Sequence, residues 1–398
     1  MKLSRRANAI QPSATLAITA KAKALSAKGV DVVSLGAGEP DMDTPDHVKQ
    51  AGIEAIQAGF TKYTATPGIP ELRRAIAAKF EKENGLKYEE TEVIASVGAK
   101  HALFNAFQAL VDDGDEVLIP APYWVSYPDM TLLAGGTPVF VETRPEDGFA
   151  PTPEAIAAKL TPRTKAIVLN SPNNPSGAVW SADTLRGIAK VLEGHDCAIL
   201  SDDIYEHLIY TGQPFTNILN VAPQLRERTV VINGLSKSFS MTGWRIGWAA
   251  GPRSIIAAMQ KIQDQSTSNP SSITQKAAVA ALVGGNACVD QMREKFDERR
   301  RYVEERLARI PGLKCRPIGG AFYAFVDASE LCDRSYDGAS IGGSSARLAE
   351  ILLDEFRVAV IPGAPFGSEG FIRLSFATSM EQLEKGLDRI AACAAALA

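Results

Sequence analysis

Asn233-Gly-Leu-Ser-Lys237-Ser-Phe-Ser-Met-Thr-Gly-Trp-Arg245-Ile-Gly247 follows directly on the apolar run Thr229-Val-Val-Ile232. Such a run ended by Asn-Gly reads as a buried strand feeding a loop. Small neighbours give the Lys237 amine room to enter a cleft, whereas a lone lysine is ordinarily a solvated surface charge. Arg245 lies further along the same segment, and its planar fork can grip phosphate oxygens two at a time. An amine that can condense with an aldehyde, beside a cation that can anchor a phosphate, is what an enzyme needs to hold a phosphorylated aldehyde cofactor.

Working outward, Ala198-Ile-Leu-Ser-Asp202-Asp203-Ile-Tyr205 is a second strand ending in polar residues. Asp202 at a strand end can keep a cofactor ring nitrogen protonated, and Tyr205 can hydrogen-bond a ring oxygen. The plainer reading is that an aspartate caps a turn, and Asp203 is read that way. Glu92-Val-Ile-Ala-Ser-Val-Gly98-Ala99-Lys100 is strand, glycine turn and helix start. Its free amides and positive helix end can cradle a phosphate, although strand-glycine-helix occurs in any α/β protein. Asn170-Ser-Pro-Asn-Asn174-Pro-Ser-Gly177 is a loop of turn formers after another strand. Further strands and helices, among them a helix over Pro153–Leu160 and a late strand over Val358–Ile361, are read along the chain, and the strand–helix alternation predicts a mostly parallel sheet.

The Ser236-Lys237-Ser-Phe-Ser-Met-Thr-Gly-Trp-Arg245 run closely resembles the lysine segment of fold-type I, class I aminotransferases, enzymes of pyridoxal 5'-phosphate. The similarity runs from about Ser13 to the chain end and is nearest to the bacterial subgroup Ib of aspartate aminotransferases, some of which also act on prephenate. The resemblance implies a ping-pong exchange between amino acids and 2-keto acids, with aspartate and 2-oxoglutarate as the expected pair. By residue, it implies that Lys237 carries the aldehyde and moves protons, with Asp202 and Tyr205 at the ring. Trp124 would stack on that ring and Asn174 would donate to its oxygen. Gly98, Ala99, Lys100, Ser236 and Arg245 fall in the phosphate-binding segments. Gly38, in Gly36-Ala-Gly-Glu-Pro40, lines the substrate site, and Arg373 clamps the α-carboxylate. Tyr63 matches a tyrosine that crosses a homodimer interface to the neighbour's phosphate. In subgroup Ib a lysine at the position of Lys100 meets the substrate's second carboxylate; the alternative is that Lys100 only balances the phosphate. Relatives acting on prephenate commonly carry a basic residue where Gln11 stands, a departure that counts against that second activity.

The expected fold is therefore α/β, of the pyridoxal-phosphate transferase fold type I. A chain of 398 residues exceeds one average core. The expectation is a large cofactor-binding domain over 46–299, a smaller domain from 13–45 and 300–398, and an extended arm over 1–12, with the boundary along a long helix from Val289. A lyase or racemase on the same fold is one competing class, since the cofactor supports the same carbanion. A ligand-sensing part of a transcription regulator is another, but such proteins carry a DNA-binding region ahead of this fold, and only about a dozen residues precede Ser13. A net charge of -4 with 45% hydrophobic residues points away from nucleic acid. The five cysteines show no metal-ligand or redox spacing, so no metal and a reducing, cytoplasmic location are expected. No run approaches the roughly 20 apolar residues of a membrane span.

Overall fold

Runs such as Val117-Leu-Ile119 and Val230-Val-Ile232 offer no polar face, so they fit only where both sides are covered. In the computed structural model, which describes residues 2–398, they lie in the middle of a seven-stranded sheet. Its order is Val93–Ser96, Gly247–Ala250, Thr229–Gly234, Ala198–Asp202, Thr164–Asn170, Glu116–Pro120 and Thr137–Val141. All are parallel except Gly247–Ala250, which runs antiparallel to both neighbours. Alternation sends Val231 to one face and Val230 and Ile232 to the other. The first face packs against helices Pro70–Lys79, Ala182–Glu193 and Ser272–Val283. The second packs against Ala99–Leu110 and Arg253–Asp264. This is the α/β architecture expected.

A second, antiparallel sheet joins Ile361–Pro362, Phe371–Ser375, Tyr323–Asp327 and Lys314–Cys315. Val33–Ser34, from the other end of the chain, pairs with Val358–Ala359 beside it. The helix Ala287–Leu307 serves two cores: Val289 packs under the large sheet, while Met292, Phe296, Val303 and Leu307 pack with the second.

Three local expectations change. The arm over 1–12 is not wholly extended: Arg5–Ala9 is helical, because the Ser4 side chain caps the Ala7 amide ahead of good helix formers; Met1 lies outside the described residues. The strand expected over Val358–Ile361 is two short strands, since the chain exchanges the Val33–Ser34 partner for Phe371–Ser375. The helix expected over Pro153–Leu160 ends at Ala157. Among the described residues no helix is long and apolar enough to cross a membrane.

Candidate active site

In a parallel sheet all strands deliver their carboxyl ends to one edge, and ligands bind there. A cavity of about 750 Å³ opens at that edge, with Asn170, Asp202, Ser236 and Lys237 on loops or strand ends at its wall. Gly38, Ala99, Lys100 and Trp124 also line it, as do Asn174, Tyr205, Arg245 and Arg373. Of the residues singled out in the sequence, two lie elsewhere. Gly98 sits just behind the wall, and Tyr63 projects from the surface with 92% exposure.

The Lys237 amine donates to the Gly38 carbonyl at 2.6 Å and lies 6.0 Å from the Tyr205 ring centre. Burial, helped by the nearby Arg373 and Arg245 charges and opposed by Glu39, pulls its pKa down to about 8. Asp202 is buried, and burial pushes its carboxyl up to about 6 against the stabilising bonds from the Tyr127 hydroxyl (2.6 Å) and the Ile204 amide (3.4 Å). The Asn170 amide fixes the same turn by donating to the Asp202 carbonyl.

The helix Ala99–Leu110 begins against this wall. Gly98 takes φ +90°, and a Cβ there would stand 2.7 Å from Arg245 Nη2, so the bare backbone is what lets the guanidinium reach the helix end. Behind it Gly247 leaves no space: a Cβ on it would lie 2.2 Å from the Ala99 nitrogen. Arg245 holds φ +55°, a region side chains rarely adopt, and donates to the Thr242 carbonyl at 2.9 Å. Lys100 Nζ stands 4.8 Å from the Trp124 ring centre, its pKa lowered by burial and by Arg245.

Arg373 is 2% exposed, yet among the described residues no carboxylate pairs with it. Its fork donates to Asn174 Oδ1 at 2.9 Å and to the Gly36 carbonyl at 3.0 Å, and its Nε has no partner among the described residues. The Tyr323 ring lies 4.4 Å from the guanidinium, and the Tyr323 hydroxyl bonds that of Tyr205 at 2.9 Å. Because Asn174 Oδ1 is taken by Arg373, its amide hydrogens are the donors left for a ligand. A buried cation facing only neutral acceptors costs several kcal/mol. Lys100, Lys237, Arg245 and Arg373 thus line one cavity with a helix N-terminus, an arrangement that fits a phosphorylated, carboxylate-bearing ligand.

Three of these groups were not foreseen from sequence. Tyr127 and Tyr323 reach the site through contacts between distant segments, and Asn170 was read as only the start of a loop. Asp203, read as structural, accepts from Ser201 Oγ and Asn217 Nδ2 and does not line the cavity.

Residues 30–390 match the family described as aminotransferase class I and II. The aspartate/prephenate aminotransferase of Nitrosomonas europaea is 50% identical over 98% of this chain and 99% of its own. The aspartate aminotransferase of Geobacillus stearothermophilus is 49% identical over 98% of each chain. Among solved structures, the aspartate aminotransferase of Rhizobium meliloti superposes with a TM-score of 0.96 at 45% identity, covering 100% of both chains. That of Thermus thermophilus with maleate gives 0.93 at 48% identity, covering 99% of this chain and 100% of the other. The chain belongs to the class I and II aminotransferases.

Proposed function

We propose that the protein transfers the amino group of L-aspartate to 2-oxoglutarate, using pyridoxal 5'-phosphate held in the 750 Å³ cavity. The observation that carries the reading is the pair of cations without acidic partners, Arg373 and Lys237, facing one cavity with the buried Asp202. The names of the relatives support the choice of aspartate.

When bound, pyridoxal phosphate supplies an aldehyde and an electron-withdrawing ring that stabilises the carbanion left by loss of the α-hydrogen. The chain's own residues do the rest. Lys237 would hold the cofactor through its amine and, once freed by the substrate, would serve as the base that accepts the α-proton and the acid that returns it. An amine held near 8 is partly neutral at physiological pH, as a base must be. Asp202, its carboxylate oriented by Tyr127, would keep a proton on the ring nitrogen. Arg245, Ser236 and the amides of the Gly98-Ala99-Lys100 turn would hold the phosphate. Trp124, Asn174 and Tyr205 would hold the ring. Arg373 clamps the α-carboxylate beside Gly38, and Lys100 meets the side-chain carboxylate.

The same reading makes the protein a cytoplasmic homodimer in which the exposed Tyr63 reaches the partner's phosphate. It divides the chain into a cofactor domain over 46–299 and a smaller domain from 13–45 and 300–398. Prephenate as the amino acceptor is the second reading, supported by the name of the Nitrosomonas relative.

The test is borohydride reduction of the protein with bound cofactor, followed by peptide mapping, beside an assay of amino donors against 2-oxoglutarate. The expected result is label on Lys237 and aspartate as the preferred donor. Label on another lysine sinks the assignment, and preference for an aromatic donor sinks the choice of substrate.

A further inference from the structure

Outside the lining of the cavity lies a buried polar cluster to which the mechanism above gives no part. Glu206, 5% exposed, follows Tyr205 directly in the chain. Its Oε1 accepts from Lys79 Nζ and, at 2.7 Å, from Asn233 Nδ2; its Oε2 accepts from Asn84 Nδ2 at 2.7 Å. Lys79 also donates to Asn84 Oδ1 at 2.8 Å and lies 3.5 Å from Glu83, and His207 Nε2 lies 3.4 Å from Glu83 and 3.5 Å from Glu206. Asn233 is 2% exposed and is the penultimate residue of the strand Thr229–Gly234, which feeds the loop that carries Lys237. Its Oδ1 accepts the Gly234 amide at 2.7 Å, so one side chain both shapes the loop's first turn and ties it to Glu206.

We propose that Glu206 and Asn233 are positioning residues that fix the loop bearing the Lys237 amine against the segment bearing Tyr205. The geometry is that of a clamp. One carboxylate, immobilised by Lys79 and Asn84, belongs to the segment bearing Tyr205 and grips the first residue of the segment bearing Lys237. Neither Glu206 nor Asn233 lines the cavity, so neither touches a ligand there. Reacting groups held to fractions of an ångström lose rate steeply when they drift: a misplacement of about 1 Å costs on the order of a hundredfold.

The proposal rests on Lys237 being the reactive amine, and the experiment keeps the two claims apart. Asn233→Ala removes the tie while leaving Glu206 paired with Lys79 and Asn84. Three quantities are read: kcat of the holoenzyme, the thermal midpoint, and the pH midpoint for reductive methylation of Lys237 in cofactor-free protein, followed by mass spectrometry. The expected result is a roughly ten- to hundredfold loss of kcat with a displaced methylation midpoint. A lower thermal midpoint with kcat and the methylation midpoint unchanged would make the cluster structural only and overturn the proposal. If Asn233→Ala does not fold, Asn233→Ser, polar but too short to reach Glu206, reads the same quantities and the same outcomes decide. Failure of wild-type protein to trap cofactor on Lys237 refutes the functional reading instead.

Discussion

Two groups of buried charge, one around Arg373 in the cavity wall and one around Glu206 outside it, are built oppositely. Glu206 is fully partnered: Lys79, Asn84 and Asn233 all donate to its carboxylate, and His207 Nε2 lies 3.5 Å from it. Around Arg373 the guanidinium meets only an amide oxygen and a carbonyl, and its Nε meets nothing within the described residues. Saturation is what a permanent strut requires, because a half-satisfied buried network is worse than none. Incompleteness is what a site for an exchanging anion requires, because the substrate must bring the missing partner. The contrast separates scaffold from site without reference to any relative.

The sharpest way to break the contrast is to remove one cation from each group. Lys79→Met strands Glu206 and should cost about 3–5 kcal/mol of stability. Arg373→Met removes a cation with no acid to abandon and should leave the urea midpoint nearly unchanged. The same variant should lose roughly a thousandfold in kcat/KM for aspartate, from two charge-assisted bonds of about 1.5–3 kcal/mol each. Equal stability losses in the two variants would erase the distinction.

Titration gives a smaller effect. Lys237 titrates near 8 when folded and near 10.5 when unfolded, so between these values the unfolded chain binds more protons. Stability of the cofactor-free protein should therefore rise with pH across that window, by about 2 kcal/mol after allowance for partial exposure. Asp202 works in the other direction at lower pH. Its carboxyl, at about 6 folded against 3.8 unfolded, makes the native state bind more protons, so stability falls as pH rises through that range. Urea unfolding of wild type and Lys237→Met from pH 7 to 10.5 isolates the lysine: the gap between them should close, and a constant gap contradicts the assignment.

The smallest effect concerns which substrate completes the site. Lys100→Met should lower kcat/KM for aspartate roughly ten- to a hundredfold, one charge-assisted bond's worth. Alanine and aromatic donors, which lack a second carboxylate, should be affected much less. An equal loss for all donors assigns Lys100 to the phosphate.

How far the sequence reached follows from how local each feature is. The alternation of apolar runs and helices foretold the large sheet because each strand's burial is written in its own residues. Lys237 and Arg245 stand in one segment, so their shared purpose could be read along the chain. Tyr127 and Asp202 are 75 residues apart, and Tyr205 and Tyr323 are 118 apart. No local pattern announces such pairs; they exist only once the sheet brings strand ends together. The same holds for Glu206, whose neighbours in sequence are unremarkable and whose partners come from a helix end and another strand. The short helix Arg5–Ala9 was missed for a different reason: five residues are too few for periodicity to show, and only the Ser4 cap marks it.

Gly247 carries a consequence for how this protein can vary over time. With a Cβ there only 2.2 Å from the Ala99 nitrogen, backbone rests on backbone, and no side chain stands between the sheet and the start of the helix that faces the cavity. Elsewhere in a core, evolution can enlarge or shrink a space one methyl group at a time. At this contact the smallest available step already forces the helix end from its place. The amide end of the cavity is thus a fixed gauge, and diversification among substrates is left to the side chains that line the cavity beside it, such as Lys100 and Trp124, which can be exchanged singly.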